Sequence, residues 1–307
     1  KTSTLPFGSE DVVYKGSTSK WKGLAYALLA RYNNHLSKRD PVGSATKALD
    51  FVNKAVTAGF SSNAANFLFP YDGSSDWQNP WFSLFQNNLI VASKKFMDVL
   101  KSTNDPRRIA YFQDVDVQGN SVGFVGKPNG SPINAKFSPV GPKTFYGKKN
   151  SPQFVSTYFE LKFIEAEAAL RLATPDKARA ATAMNEAIKS QIDLVTTDLK
   201  NAMSGAAKVA YEAEIAAYKA TFANETAATI TLDKLMTEKR KAMFTMNLES
   251  WVDVRRHDYL IPSNIALPLN AKLPTFIRRG LYTETSKSRN ANTPTGVKLQ
   301  DKLWWDQ

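Results

Sequence analysis

The sequence predicts a mainly α-helical protein whose helical hairpins carry long irregular ligand-binding loops. Six segments repeat apolar residues at the three- and four-residue spacing of an amphipathic helix. Long runs of alternating apolar and polar residues, which would indicate strands, are nearly absent. We expect a single domain over residues 1–307, made of a helical hairpin (19–58), a loop-rich binding region (60–150), a helical scaffold (152–257) and an irregular C-terminal region (258–307).

The first hairpin is predicted from two neighbouring helices. Ser19–Ser37 has an apolar face and begins with a residue that commonly caps helices. Pro41 suits the first turn of the next helix, Ser44–Ala58, and Gly59 is a natural stop behind it. Two antiparallel helices of this length joined by a short turn form a hairpin of tetratricopeptide size.

The scaffold begins with a second predicted pair, Pro152–Leu172 and Lys177–Val195, whose alanines allow close helix packing. Two more helices are predicted at Ala206–Phe222 and Thr231–Asn247. In the loop-rich region, helical spacing is confined to about residues 91–101.

The segment Leu235–His257 places charged residues inside an apolar helical pattern. Trp251 falls on the apolar stripe and is predicted to face the core. Glu238, Arg240, Asp253 and Arg255 lie near that stripe, and buried charge is costly unless it is paired. We therefore expect Glu238 or Asp253 to pair with Arg240 or Arg255, in a structural and not a catalytic role.

Four blocks of sequence occur in the order typical of SusD/RagB-like proteins, the surface lipoproteins that bind nutrients for uptake across a Gram-negative outer membrane. They are EKRKAMF followed by ExWxDxRR (residues 237–256), NPWFSLF through DPRRIAYF (79–112), TYFELKFIEAEAALR (157–171) and GVKLQDKLWWDQ (296–307). The chain resembles the C-terminal three-fifths of such a protein, and we expect the N-terminal part to be absent from it. The resemblance implies tetratricopeptide-like hairpins, no catalytic activity and a SusC-type TonB-dependent transporter as partner.

Composition excludes several classes of function. The chain has no cysteine, so disulfides, thiolate catalysis and cysteine-bound zinc are excluded. No apolar run approaches the ~20 residues that a membrane helix needs. The net charge of +12 is spread over lysine and arginine pairs and triplets, which favours a solvated surface over a nucleic-acid site.

Catalytic chemistry has little support. His35 lies at a helix end and His257 follows two arginines, so both are interpreted as structural. Zinc-protease, serine-hydrolase and Walker motifs do not occur, and we expect no cofactor. Asp72 and Asp76 form the best carboxylate pair for glycoside hydrolysis, but loop capping or hydrogen bonding to a ligand is the favoured interpretation.

The best candidate binding element is the aromatic segment Phe67–Phe85, with seven aromatic residues in nineteen. Flat rings can pack on the C–H face of a sugar while carboxylates and amides bond its hydroxyl groups. Candidate ligand contacts in this segment are Tyr71, Asp72, Asp76, Trp77, Asn79 and Trp81. For Trp81, packing in the core is the preferred alternative. Phe145 and Tyr146, beside several lysines, are a second candidate wall.

Two functions are compatible with these features. The first is non-catalytic binding of an oligosaccharide or other nutrient at the outer-membrane surface, for delivery to the SusC-type transporter. The second is a tetratricopeptide-like module that binds a peptide or protein. On the first hypothesis the protein would meet the membrane only through an N-terminal lipid anchor that this chain does not contain.

Overall fold

The computed structural model describes residues 8, 10–87, 90–116, 118–132, 136–263, 265, 267 and 271–306, and confirms a mainly α fold. Its helices are α1 (Thr18–His35), α2 (Pro41–Thr57), α3 (Phe82–Gln86), α4 (Lys94–Ser102), α5 (Arg107–Tyr111), α6 (Tyr158–Leu170), α7 (Lys177–Ala202), α8 (Gly205–Phe222), α9 (Leu232–Ala242), α10 (Asn247–Arg256) and α11 (Glu284–Arg289). Short 3-10 turns lie at Leu36–Lys38 and Asn63–Ala65.

The first hairpin forms as predicted, with small shifts at its ends. Ser17, not Ser19, caps α1, because its hydroxyl accepts a hydrogen bond from the Lys20 amide. Asp40 caps α2 in the same way through the Gly43 amide, and Pro41 occupies the first helical turn. Gly59 follows α2 with a φ of 98°, a conformation that glycine adopts without strain.

The helix predicted from Pro152 begins later, because its first residues form a strand. β2 (Gln153–Ser156) pairs antiparallel with β1 (Phe67–Phe69), and Thr157 then caps α6 by accepting from the Glu160 amide. Pairing between distant segments overrides the local helical spacing here. The strand pair fastens the start of the aromatic segment to the scaffold.

The segment Leu235–His257 forms two helices instead of the predicted continuous stripe. α9 ends at Ala242, Thr245 has a φ of 73°, and α10 then begins at Asn247. The left-handed residue changes the direction of the chain, so the spacing in α9 does not continue into α10. Trp251 is consequently 44% exposed, and the prediction that it faces the core is wrong.

α6 is the central helix, and the two hairpins α1–α2 and α6–α7 pack together through α2 and α6. Phe159 and Phe163 face the larger core formed with α7, α8 and α9, whereas Leu161 and Ile164 face the core of the first hairpin. A helix that is buried on both faces leaves its acidic side chains without water. Those side chains therefore require buried cations.

Glu160 of α6 pairs with Arg31, and Glu167 lies in the first of two buried charge clusters, which also correct the predicted pairing. In the hairpin cluster (Asn34, Glu167, Lys239, Asp253, Arg256), Arg256 lies 2.6 Å from both Glu167 and Asp253, and Lys239 lies 2.8 Å from Asp253. In the loop cluster (Asp105, Arg107, Tyr218, Glu238, Lys241), Glu238 pairs with Arg107 and Lys241. The predicted pairing of these carboxylates with Arg240 or Arg255 is therefore wrong.

The carboxylates of both clusters should make stability sensitive to acid. Burial disfavours the charge on Asp105, but Arg107 and Lys241 outweigh burial and lower its pKa from 3.8 to about 2. Arg256 and Lys239 likewise outweigh burial at Glu167 and hold its pKa well below the ordinary value. A carboxyl group whose pKa is lower in the folded than in the unfolded protein stabilises the folded state. This stabilisation is complete at pH values above the pKa in the unfolded chain. It is lost as the pH falls through the pKa in the folded protein.

We therefore expect the melting temperature to fall steeply as the pH drops from about 4 towards 2. Melting curves followed by circular dichroism between pH 7 and pH 2 measure this. Asp76→Asn, which removes an exposed carboxylate, is the control and should show the same profile. A melting temperature that stays constant between pH 4 and pH 2 would contradict the prediction.

Candidate ligand-binding site

The loop 70–81, between β1 and α3, lies against residues 149–153. The backbone amide of Asn79 donates to the Lys149 carbonyl at 2.7 Å, and its side-chain amide donates to the Ser151 carbonyl at 2.8 Å. Gly73 has a φ of 85°, and a Cβ there would lie 3.4 Å from the Cβ of Lys149. Asn79 therefore fixes the end of the loop on the scaffold, and Gly73 lets the backbone pass close to residues 149–150.

Tyr71 and Trp77 form an aromatic platform within this loop, supported by Phe69. The Trp77 ring centroid lies 5.7 Å from that of Phe69 and 6.2 Å from that of Tyr71. The indole nitrogen of Trp77 donates to the Pro70 carbonyl at 3.0 Å, which fixes the orientation of the ring. Trp77 is nevertheless 43% exposed, so the platform offers an oriented apolar surface to a ligand.

Asp72 and Asp76 do not have the properties of a hydrolytic pair. Hydrogen bonds from Ser74, first of all from its backbone amide, lower the pKa of Asp72, whereas a general acid needs a raised pKa. Asp76 is exposed and accepts a hydrogen bond from the Ser75 hydroxyl at 3.1 Å. Both carboxylates remain available as hydrogen-bond acceptors beside the platform.

Asn79 is buried and holds the loop together, whereas Trp81 is exposed. Asn79 is only 4% exposed, and its side-chain oxygen accepts from the Trp81 amide at 2.8 Å, so it holds the loop together. Trp81 is 48% exposed, which makes the preference for core packing wrong. Its ring stacks on Phe85, with centroids 6.2 Å apart and an angle of 20° between the planes.

The second candidate wall lies mostly inside the core. Phe145 and Tyr146 are 9% and 3% exposed, and both pack edge-on against Phe154. Phe145 therefore serves packing in this structure. Tyr146 forms part of the wall of a cavity beside Trp81.

This cavity has a volume of about 170 Å³. Its lining residues are Asn79, Trp81, Phe85, Ile90, Val140, Tyr146, Ser151, Pro152, Gln153, Phe244, Thr245 and Asn247. Sequence reasoning missed the contribution of residues 244–247, because no local signal places the turn between α9 and α10 beside the aromatic loop. Phe244 was therefore predicted to lie on the apolar face of a helix and not in a turn.

The histidines pair with carboxylates, as expected for structural residues. His35 lies 2.9 Å from Glu249, and His257 lies 3.3 Å from the buried Glu167. Within the described part of the chain, no group of three or more His, Asp or Glu side chains is arranged to hold a metal ion. In the same part, no helix is both long and apolar enough to cross a membrane.

The sequence was compared with models of known protein families and with known proteins. Residues 2–276 match the model of the family SusD-like_2, described as starch-binding proteins that associate with the outer membrane. No curated protein matches the sequence.

Solved structures with a similar fold come from the same class of protein. A SusD/RagB family protein from Bacteroides thetaiotaomicron has 24% identity and a TM-score of 0.68, with 100% of this chain and 68% of that chain covered. A chitin-binding SusD homologue from Flavobacterium johnsoniae has 21% identity and a TM-score of 0.72, with 100% and 67% covered. The chain thus spans about two thirds of the length of these structures.

Proposed function

The chain belongs to the SusD-like family, and from that premise we propose that it binds an oligosaccharide at the outer-membrane surface without cleaving it. The observation that carries the proposal is the exposed and oriented ring of Trp77 beside Tyr71. Aromatic rings of this kind offer a flat apolar face to the C–H side of a sugar. Asp72 and Asp76 would accept hydrogen bonds from its hydroxyl groups.

Binding without hydrolysis fits the state of the carboxylates. The lowered pKa of Asp72 keeps it ionised near neutral pH, so it would accept hydrogen bonds but not donate a proton to a leaving group. The outer-membrane association in the family description supports a location at that membrane. Our proposal includes delivery of the ligand to a SusC-type TonB-dependent transporter, and attachment through a lipid anchor. Co-purification of such a transporter from outer-membrane extracts would test the partnership.

Trp77→Ala should lower the affinity for the bound oligosaccharide by about two- to tenfold, because one aromatic contact contributes about 0.5–1.5 kcal/mol. Asp76→Asn should weaken binding less, since an exposed hydrogen bond is readily replaced by water. Isothermal titration calorimetry, with ligands selected on a glycan array, measures both effects. Trp304→Ala is the matched control, because Trp304 is 69% exposed and lies outside the loop.

Three results would contradict the proposal. Equal affinity of wild type and Trp77→Ala would place the ligand elsewhere on the protein. Chromatographic detection of shortened products after long incubation, abolished by Asp76→Asn, would show that the protein is a hydrolase. Peptide binding with no response to any glycan would favour the interaction-module alternative.

A further inference from the structure

The cavity beside Trp81 combines an apolar floor with an accessible aromatic mouth. Phe85, Val140 and Tyr146 are buried and form its floor. Trp81 and Ile90 are 48% and 40% exposed and lie at its mouth. An opening of this kind admits a small apolar group while a larger ring remains against Trp81.

The edge of the cavity carries polar groups with unused hydrogen-bonding capacity. Ser151 is 2% exposed, and its hydroxyl, like that of Tyr146, has no hydrogen-bond partner among the described residues. Such a group inside a protein is costly until something binds it. Asn247 is exposed at the start of α10 and also lines the cavity. The wall of the cavity therefore includes a serine with an unpartnered hydroxyl and an exposed amide, next to apolar side chains.

The cavity and the platform lie along the same stretch of chain. Gln153 lines the cavity and is also the strand partner of Phe69, which supports the platform. Asn79 bonds to Ser151 and lies between Trp77 and Trp81 in the sequence. A chain of several sugars could therefore contact Trp77 with one ring and Trp81 with another.

We propose that this cavity receives the acetamido group of a 2-acetamido sugar whose ring lies on Trp81, an inference that rests on the proposed function. The acetamido methyl group is apolar and suits the floor formed by Phe85 and Val140, whereas its amide can bond Ser151 or Asn247. A sugar with a hydroxyl group at the same carbon has no methyl group to bury against this floor, so it lacks that contribution to binding. The cavity thus selects N-acetylated over plain hexoses.

N-acetylchitopentaose and cellopentaose test this selection, because they have the same linkage and length and differ in the substituent at C2. Calorimetry on the wild type should give at least about tenfold tighter binding of N-acetylchitopentaose. Trp81→Ala, Ser151→Ala and Asn247→Ala should each reduce that preference, while Trp304→Ala leaves it unchanged. Melting curves of each variant show that it is folded at the temperature of the titration.

The outcomes separate this inference from the proposed function. Equal affinity for the two pentasaccharides, or a preference that survives in all three cavity variants, overturns the inference. If the two pentasaccharides bind equally and Trp77→Ala lowers the affinity for both, the proposed function is supported and only the inference about the cavity fails. If neither pentasaccharide nor any other glycan binds, the proposed function fails and the inference fails with it.

Discussion

Replacing Arg256 with alanine should lower the free energy of unfolding by about 3–5 kcal/mol. The Arg256 side chain is 1% exposed and lies between the carboxylates of Glu167 and Asp253. Lys239 is the second cation of the hairpin cluster, and the guanidinium of Arg171 lies at its edge, where it donates to Asn34 at 2.6 Å. Removal of Arg256 takes away the cation that bonds both buried carboxylates, which is far costlier than the loss of an exposed ion pair.

The neighbouring residue provides a matched control. Arg255 donates to the Arg278 carbonyl and lies over the ring of Trp305, with its guanidinium carbon 4.5 Å from the ring centroid. Its contacts are with a backbone carbonyl and a ring, so Arg255→Ala should cost only about 1 kcal/mol. Denaturation with urea measures both variants. Equal destabilisation by the two substitutions would show that the hairpin cluster is not the source of the effect.

This contrast shows how far the sequence could predict the charged segment. The costly charges Glu238 and Asp253 were recognised from their position beside an apolar stripe. Their partners were not, because Arg255 and Arg256 are adjacent and only the direction of α10 decides which of them faces the core. That direction is set at Thr245, whose positive φ no sequence pattern indicated.

The longer helices were predictable because apolar spacing is a local property, and the same holds for the caps of α1 and α2 to within a few residues. The short helices were not: α3 and α5 lie outside residues 91–101, where helical spacing in the loop-rich region was expected, and α11 lies in the C-terminal region that was expected to be irregular. The strand pair was not, since it depends on contacts between residues that are far apart in the chain. Composition identified the aromatic loop but not the exposure of each ring. Trp81 is exposed and Phe145 is buried, in both cases through packing against distant segments. The cavity could not be foreseen, because it combines the aromatic loop, residues 140–153 and the turn after α9.

The loop cluster lies between the scaffold and the helix α5, which supports the cavity, so it affects both the stability of the protein and the candidate site. Arg107 is fully buried and lies 2.6 Å from Asp105 and 2.7 Å from Glu238 of α9. It thereby fixes α5 to the scaffold. α5 in turn supports the cavity, since the Phe145 amide donates to the Ala110 carbonyl at 2.8 Å and the ring of Tyr146 contacts that of Tyr111.

Arg107→Ala should therefore lower both the free energy of unfolding, by about 3–5 kcal/mol, and the affinity for the oligosaccharide. Arg256→Ala should affect affinity much less than stability, because none of the ion pairs of the hairpin cluster includes a residue that lines the cavity among those described. Arg108→Ala is the adjacent control, since Arg108 forms a partly exposed pair with Glu214 at 3.1 Å. Urea denaturation and calorimetry below the melting temperature measure the two effects separately. Unchanged affinity in folded Arg107→Ala would show that the cavity keeps its shape without this support.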